Sequence, residues 1–167
     1  MTRELVFLVR PEDVARIARL ESLAERGDGS AACQLGDGHS EGGDLPFRPR
    51  RAFKWYARGA FVGDLAAMNN LGVCFSAGEG CTGDVKKAAH WYRRAAERGL
   101  SVAQFNLGRC YLDGRGVRKN RRTAVQWLRK AAAQGYTNAT RLLEELGETL
   151  GSDGPGSSPC KESGTRN

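Results

Sequence analysis

The sequence predicts an all-α protein: an α/α superhelical solenoid of about three 36-residue helix-hairpin repeats, with a capping helix at each end. Three observations predict it. The pairs Leu35-Gly36, Leu71-Gly72 and Leu107-Gly108 recur every 36 residues, and Ala52/Ala88/Ala124, Trp55/Trp91/Trp127 and Gly63/Gly99/Gly135 keep the same interval. Ala31, Ala67, Ala103 and Ala139 carry the period into a fourth unit. A fixed period of about 20–50 residues marks a repeat architecture. Secondly, Ala88, Trp91, Tyr92, Ala95 and Gly99 fall at i, i+3, i+4, i+7 and i+11, which is one apolar face of a helix. Thirdly, Gly78, Gly80, Gly114 and Gly116 stand where the chain turns between helices, and glycine alone adopts positive φ without strain.

Taken in order, residues 1–28 form an N-terminal segment and capping helix. Pro11-Glu12-Asp13 is a helix start, with proline in the first turn and acids complementing the dipole. Val14, Ile17, Leu20 and Ala24 follow at helical spacing, and Gly27 ends the helix. Repeat one spans 29–63, with a degenerate connection, Gly38 to Arg48, between its helices. Repeat two spans 64–99, with helices near Leu65–Ala77 and Asp84–Arg98. Repeat three spans 100–135 and pairs Val102–Asp113 with Arg121–Gln134. The segment 136–150 keeps Ala139 and Leu143 but has no second helix after it, so it is expected to cap the C-terminal end. In 151–167, ten of seventeen residues are Gly, Ser or Pro, a composition that predicts a disordered tail.

The repeat has a physical logic. Small alanines and the glycine of Leu-Gly let the two helices of a hairpin approach, while Trp, Tyr, Leu and Phe fill the space between hairpins. One hairpin cannot bury its own face, whereas a stack makes a continuous core.

Leu-Gly-x-x-aromatic, Gly-x-Gly-Val, Lys-Ala-x-x-Trp-Tyr-x-x-Ala-Ala and a closing Gly resemble the Sel-1-like repeat, a relative of the tetratricopeptide repeat. Repeat three carries the pattern as Leu107, Gly108, Tyr111, Gly114, Gly116, Val117, Ala124, Trp127, Ala131, Ala132 and Gly135. Repeat two carries it nearly as well, adding Lys87 and Tyr92, while repeat one has His39 and Gly59 where an aromatic and an alanine belong. The resemblance covers roughly residues 29–147. It implies an adaptor for protein complexes and no particular ligand.

Composition narrows the remaining classes. The 167 residues are 40% hydrophobic and 27% charged, with a net charge of +7. No apolar run approaches the roughly 20 residues that span a bilayer. Leu5–Val9 is too short for a signal core and is followed at once by Arg10, so a cytoplasmic location is expected. Cys33, Cys74, Cys81, Cys110 and Cys160 show no paired spacing, and thiols rather than disulfides are expected.

Each catalytic motif has a more ordinary explanation. Gly78-Glu79-Gly80-Cys81-Thr82-Gly83 fits GxGxxG, but that fingerprint needs a strand before it. Ser158-Pro159-Cys160-Lys161 fits SxxK but lies in the tail, where no scaffold holds nucleophile and base together. His39 and His90 lie at no zinc-ligand spacing. The expectation is therefore no enzyme, no cofactor and no metal.

Two surfaces remain as candidates. By analogy with tetratricopeptide domains, the first helices line the concave side. That places Asn69, Val73 and Ser76 of repeat two and Phe105, Arg109 and Leu112 of repeat three inward, with Phe105 and Arg109 as the leading contacts. This mixture suits a peptide or a partner helix. The second surface is a basic stripe on the outer side, formed by Arg50, Arg58, Lys86, Arg93, Arg94, Arg122, Arg129 and Lys130. It would meet an acidic protein or a nucleic-acid backbone. Base stacking needs exposed aromatics, of which Phe61 is the candidate. A protein partner is the first reading, RNA or another polyanion the second, and an enzyme a distant third.

Overall fold

A computed structural model describes residues 11–41 and 45–148. Among these residues there are eight α-helices and no strand: α1 (Pro11–Glu25), α2 (Gly29–Glu41), α3 (Pro49–Val62), α4 (Leu65–Ala77), α5 (Val85–Glu97), α6 (Ser101–Asp113), α7 (Arg121–Ala133) and α8 (Thr137–Glu145). The expected tail and the segment before Pro11 lie outside the described residues. Helices α2/α3, α4/α5 and α6/α7 pack as hairpins, and each hairpin stacks on the next through α3 against α4 and α5 against α6. Helix α1 packs on α2 and α8 on α7; α2 also touches α4, so first helices adjoin along one face.

Local chemistry explains where the helices begin and end. The Asp64 carboxylate accepts from the Ala67 N–H at 2.7 Å, Asp84 from those of Lys86 and Lys87 at 3.0 Å, and the Asn120 side chain from Thr123 at 3.0 Å. Each such cap contributes about 1 kcal/mol. Gly63, Gly78 and Gly114 close α3, α4 and α6 in the left-handed conformation.

The repeated glycine of Leu-Gly exists for contact. A Cβ at Gly72 would stand 2.7 Å from Cε1 of Tyr92, so the ring of the second helix lies flat on the first helix's backbone. Gly36 meets Tyr56 in the same way, and Gly108 meets Leu128. Gly80 and Gly116 join the repeats: both have φ +73°, and a side chain there would collide with the Pro49 and Val85 carbonyls at the start of the preceding repeat's second helix. Around these contacts, Leu35, Leu71 and Leu107 are at most 1% exposed. The core runs unbroken from Cys33 to Leu107, with further clusters under α1 and α8.

One connection differs from expectation. Gly38 to Glu41 continue α2 instead of starting the loop. The chain then folds back so closely that a Cβ at Gly38 would sit 3.0 Å from Leu45. His39, in the aromatic's place, is buried, its Nδ1 3.1 Å from the Pro46 carbonyl, and its own carbonyl accepts from the Arg48 N–H at 2.9 Å. The imidazole thus fills the site that Phe75 and Tyr111 fill in the later repeats.

Candidate functional site

The first-helix face is built on a chain of side-chain amides. The Asp37 carboxylate on α2 accepts from the Tyr56 hydroxyl at 2.8 Å and from the Asn70 amide on α4 at 3.0 Å. Asn69 donates to Asn70 at 3.2 Å, and Asn106 on α6 donates to Asn69 at 2.9 Å. This relay ties three successive first helices together. Sequence reasoning missed Asn70 and Asn106, although they stand 36 residues apart immediately before the Leu-Gly pairs.

Of the six residues expected on this face, Val73 (40% exposed) and Arg109 are open to solvent, and Ser76 is half-buried. Asn69 is a correction: it is buried, because its amide is engaged on both sides within the relay. Phe105 is half-buried against Tyr136, with ring centroids 5.2 Å apart, and the Arg109 guanidinium lies over its ring, 5.9 Å from the centroid. Leu112 is half-buried and packs into the cluster under α8. Phe105 and Leu112 therefore support the surface more than they present themselves.

Between α4 and α6 the face opens into a cleft of about 80 Å³. Arg109, Asn106 and Cys110 line it from α6, Ser76 from α4 and Arg115 from the following turn. The Arg115 guanidinium donates to the Ser76 hydroxyl at 3.3 Å. Tyr92 closes one side, its hydroxyl pushed up to about 12 chiefly by burial. Asp113 stands at the rim and is exposed. Among the described residues, no carboxylate forms an ion pair with Arg109 or Arg115.

The basic residues of the second helices divide. Arg50, Lys86 and Arg122 are exposed. Arg94 and Lys130 lie over Trp91 and Trp127 of their own helices, at 4.8 and 4.3 Å. Arg58 stacks near Trp55 and also donates to the Ala24 and Glu25 carbonyls, at 3.0 and 2.9 Å, which closes the end of α1. Arg93 donates to the Tyr111 hydroxyl at 3.0 Å. Arg129 is 3.4 Å from Glu148 and only 16% exposed, so this member of the expected outer stripe faces the C-terminal cap. Phe61 is 76% exposed and meets Trp91 edge-on.

Burial pushes the Cys33 and Cys74 thiols up to about 12, helped at Cys33 by the Asp37 charge, and raises Cys81 and Cys110 as well. A protonated buried thiol is a poor nucleophile and a poor metal ligand. No group of three His, Cys, Asp or Glu among the described residues could hold a metal ion, and no described helix is long and apolar enough to cross a membrane. The GxGxxG glycines sit in the turn between α4 and α5, following a helix and not a strand.

Comparison with known proteins accords with this geometry. The family model described as Sel1 repeat matches residues 29–60, 65–100 and 101–136. A Sel1 repeat protein from Oxalobacter formigenes is 38% identical with a TM-score of 0.70, over 78% of this chain and 98% of that one. A protective antigen of uropathogenic Escherichia coli with an SLR fold is 32% identical with a TM-score of 0.74, over 80% of this chain; the match spans 30% of the antigen's length. The cysteine rich protein B of Helicobacter pylori shares the fold, with 22% identity and a TM-score of 0.60 over 76% of this chain and 96% of that one. No curated protein matches the chain.

Proposed function

The chain belongs to the Sel1 repeat family, and we propose that it works as an adaptor or scaffold, holding a peptide or partner helix on the concave face of its solenoid. Sel1 repeats are generally protein-interaction scaffolds on a non-enzymatic fold. The observation that carries the reading is the surface of α4 and α6, where exposed Val73 and Arg109 stand over the amide relay. An apolar contact and a cation beside a rigid hydrogen-bonding floor suit an extended or helical partner. Binding would act through shape and charge on a preformed surface, with no chemical step.

The test is affinity capture by the full chain, comparing wild type with a Val73→Asp/Arg109→Glu variant. Both side chains are exposed, so circular dichroism should show the two proteins equally folded. The reading expects partners retained by wild type to be lost by the variant; identical capture contradicts it. A second reading, a polyanion on the outer side, has one observation in its favour: Arg50, Lys86 and Arg122 are exposed and in register. It expects RNA to bind with steep loss on adding salt, and a triple Gln variant to abolish that binding.

A further inference from the structure

We infer that the cleft between α4 and α6 is a receptor for the C-terminal carboxylate of a partner peptide. The inference deepens the proposed function and rests on the first helices being the binding face. It starts from the polarity of the amide relay. Asp37, as a carboxylate, only accepts, so Asn70 must present its NH₂ to it, which is the observed 3.0 Å bond. The carbonyl oxygen of Asn70 is then left to accept from Asn69, and that of Asn69 to accept from Asn106. One carboxylate on the first repeat thereby orients three amides in succession. The relay ends at Asn106, whose NH₂ is engaged and whose Oδ1 has no donor among the described residues. Asn106 therefore brings an acceptor to the cleft it lines.

Around that acceptor stand Arg109 and Arg115, two guanidiniums with no carboxylate partner among the described residues, and the Ser76 hydroxyl. Two cations against the single exposed carboxylate of Asp113 leave the cleft net positive. Guanidinium–carboxylate pairs are charge-assisted and frequently bidentate. The cleft's 80 Å³ is far below the roughly 300 Å³ or more of a drug-sized pocket, yet large enough for a carboxylate. A donor pair alone would accept any acid. The Asn106 acceptor adds a second demand, an N–H close to the carboxylate. The last residue of a peptide supplies both groups on either side of one Cα, whereas a Glu or Asp side chain holds its carboxylate farther from the backbone. The carboxylate would accept from Arg109, Arg115 and Ser76 while the terminal amide N–H donates to Asn106.

The experiment is an NMR titration of the full ¹⁵N-labelled chain with three probes: N-acetyl-trialanine as the free acid, the same peptide amidated, and amidated N-acetyl-Ala-Glu-Ala. The expected result is that the free acid shifts the amides of Ser76, Asn106, Arg109 and Arg115 and binds at least tenfold more tightly than either amide. Arg109→Gln and Arg115→Gln should each weaken it at least fivefold, with Arg50→Gln leaving it unchanged. Equal binding of acid and amide, or no shift at those four residues, overturns the receptor. Equal binding of the Glu peptide overturns the choice of a terminal carboxylate. If the titration fails while partner capture still depends on Val73 and Arg109, only the receptor falls; if both fail, so does the concave-face reading.

Discussion

The two long faces of the solenoid differ in how their polar side chains are held. On the second helices, Arg94 and Lys130 fold back three residues onto Trp91 and Trp127, within their own repeat. On the first helices, polar contacts run between repeats: Asp37 to Asn70, Asn69 to Asn106, Ser76 to Arg115. An intrarepeat contact is indifferent to how the hairpins stack. An interrepeat one reports and fixes that stacking. The first-helix face is thus a single surface assembled from three hairpins, whereas on the outer face Arg94 and Lys130 stay within single repeats and Arg58, Arg93 and the Phe61–Trp91 contact cross between units.

The largest effect that would break this comparison lies at the seam both faces share. Gly116→Ala combines a backbone at φ +73° with a collision against the Val85 carbonyl. Neither the backbone of the seam nor a rigid carbonyl can yield cheaply, so we expect a loss of about 3 kcal/mol or more, read as a lower urea midpoint. Asp37→Leu comes next. It strips the acceptor from Tyr56 and Asn70, and the expected cost is about 1–3 kcal/mol in urea denaturation. It should also weaken binding at Asn106, two repeats away, because nothing then fixes the amide polarity. Equal binding by this variant would sever the relay from the cleft. Arg94→Ala should be smallest, about 0.5–1 kcal/mol for an exposed cation over an aromatic ring, with no change on the first-helix face.

A pH dependence sharpens the same contrast between the core and the surface. Burial raises Cys33 and Cys74 from 9.0 to about 12, and Tyr92 from 10.0 to about 12. Groups with raised folded values stabilise fully below their unfolded values and lose that contribution as pH climbs through the folded ones. The urea midpoint should therefore fall between about pH 9 and pH 12. A Cys33→Ala/Cys74→Ala variant should show a shallower decline over that range.

The fold was legible because close approach demands small residues at fixed places. Gly72 under Tyr92, and Gly80 on Pro49, recur with the repeat and announce it. The candidate site was legible only in part, for a reason in the geometry. Positions 37, 73 and 109 are equivalent, yet hold Asp, Val and Arg; the period locates the surface without saying what it presents. The relay joins non-equivalent positions, since Asn69 corresponds to Cys33 and Phe105. Its bonds depend on the offset between neighbouring helices, which periodicity does not carry. The same holds for Arg129, which reads as an outer cation until Glu148 beyond α8 turns back to meet it. Repeat one departs most because His39 keeps the aromatic's place with a polar ring, and its loop folds down to satisfy it.

The most direct test of the central claim is amide hydrogen exchange on the full chain, alone and with a captured partner. An interaction surface assembled from first helices predicts new protection concentrated in α4 and α6, around Val73, Asn106 and Arg109, with α5 and α7 unchanged. Protection confined to α5 and α7, around Lys86 and Arg122, would contradict the account and move the partner to the outer face.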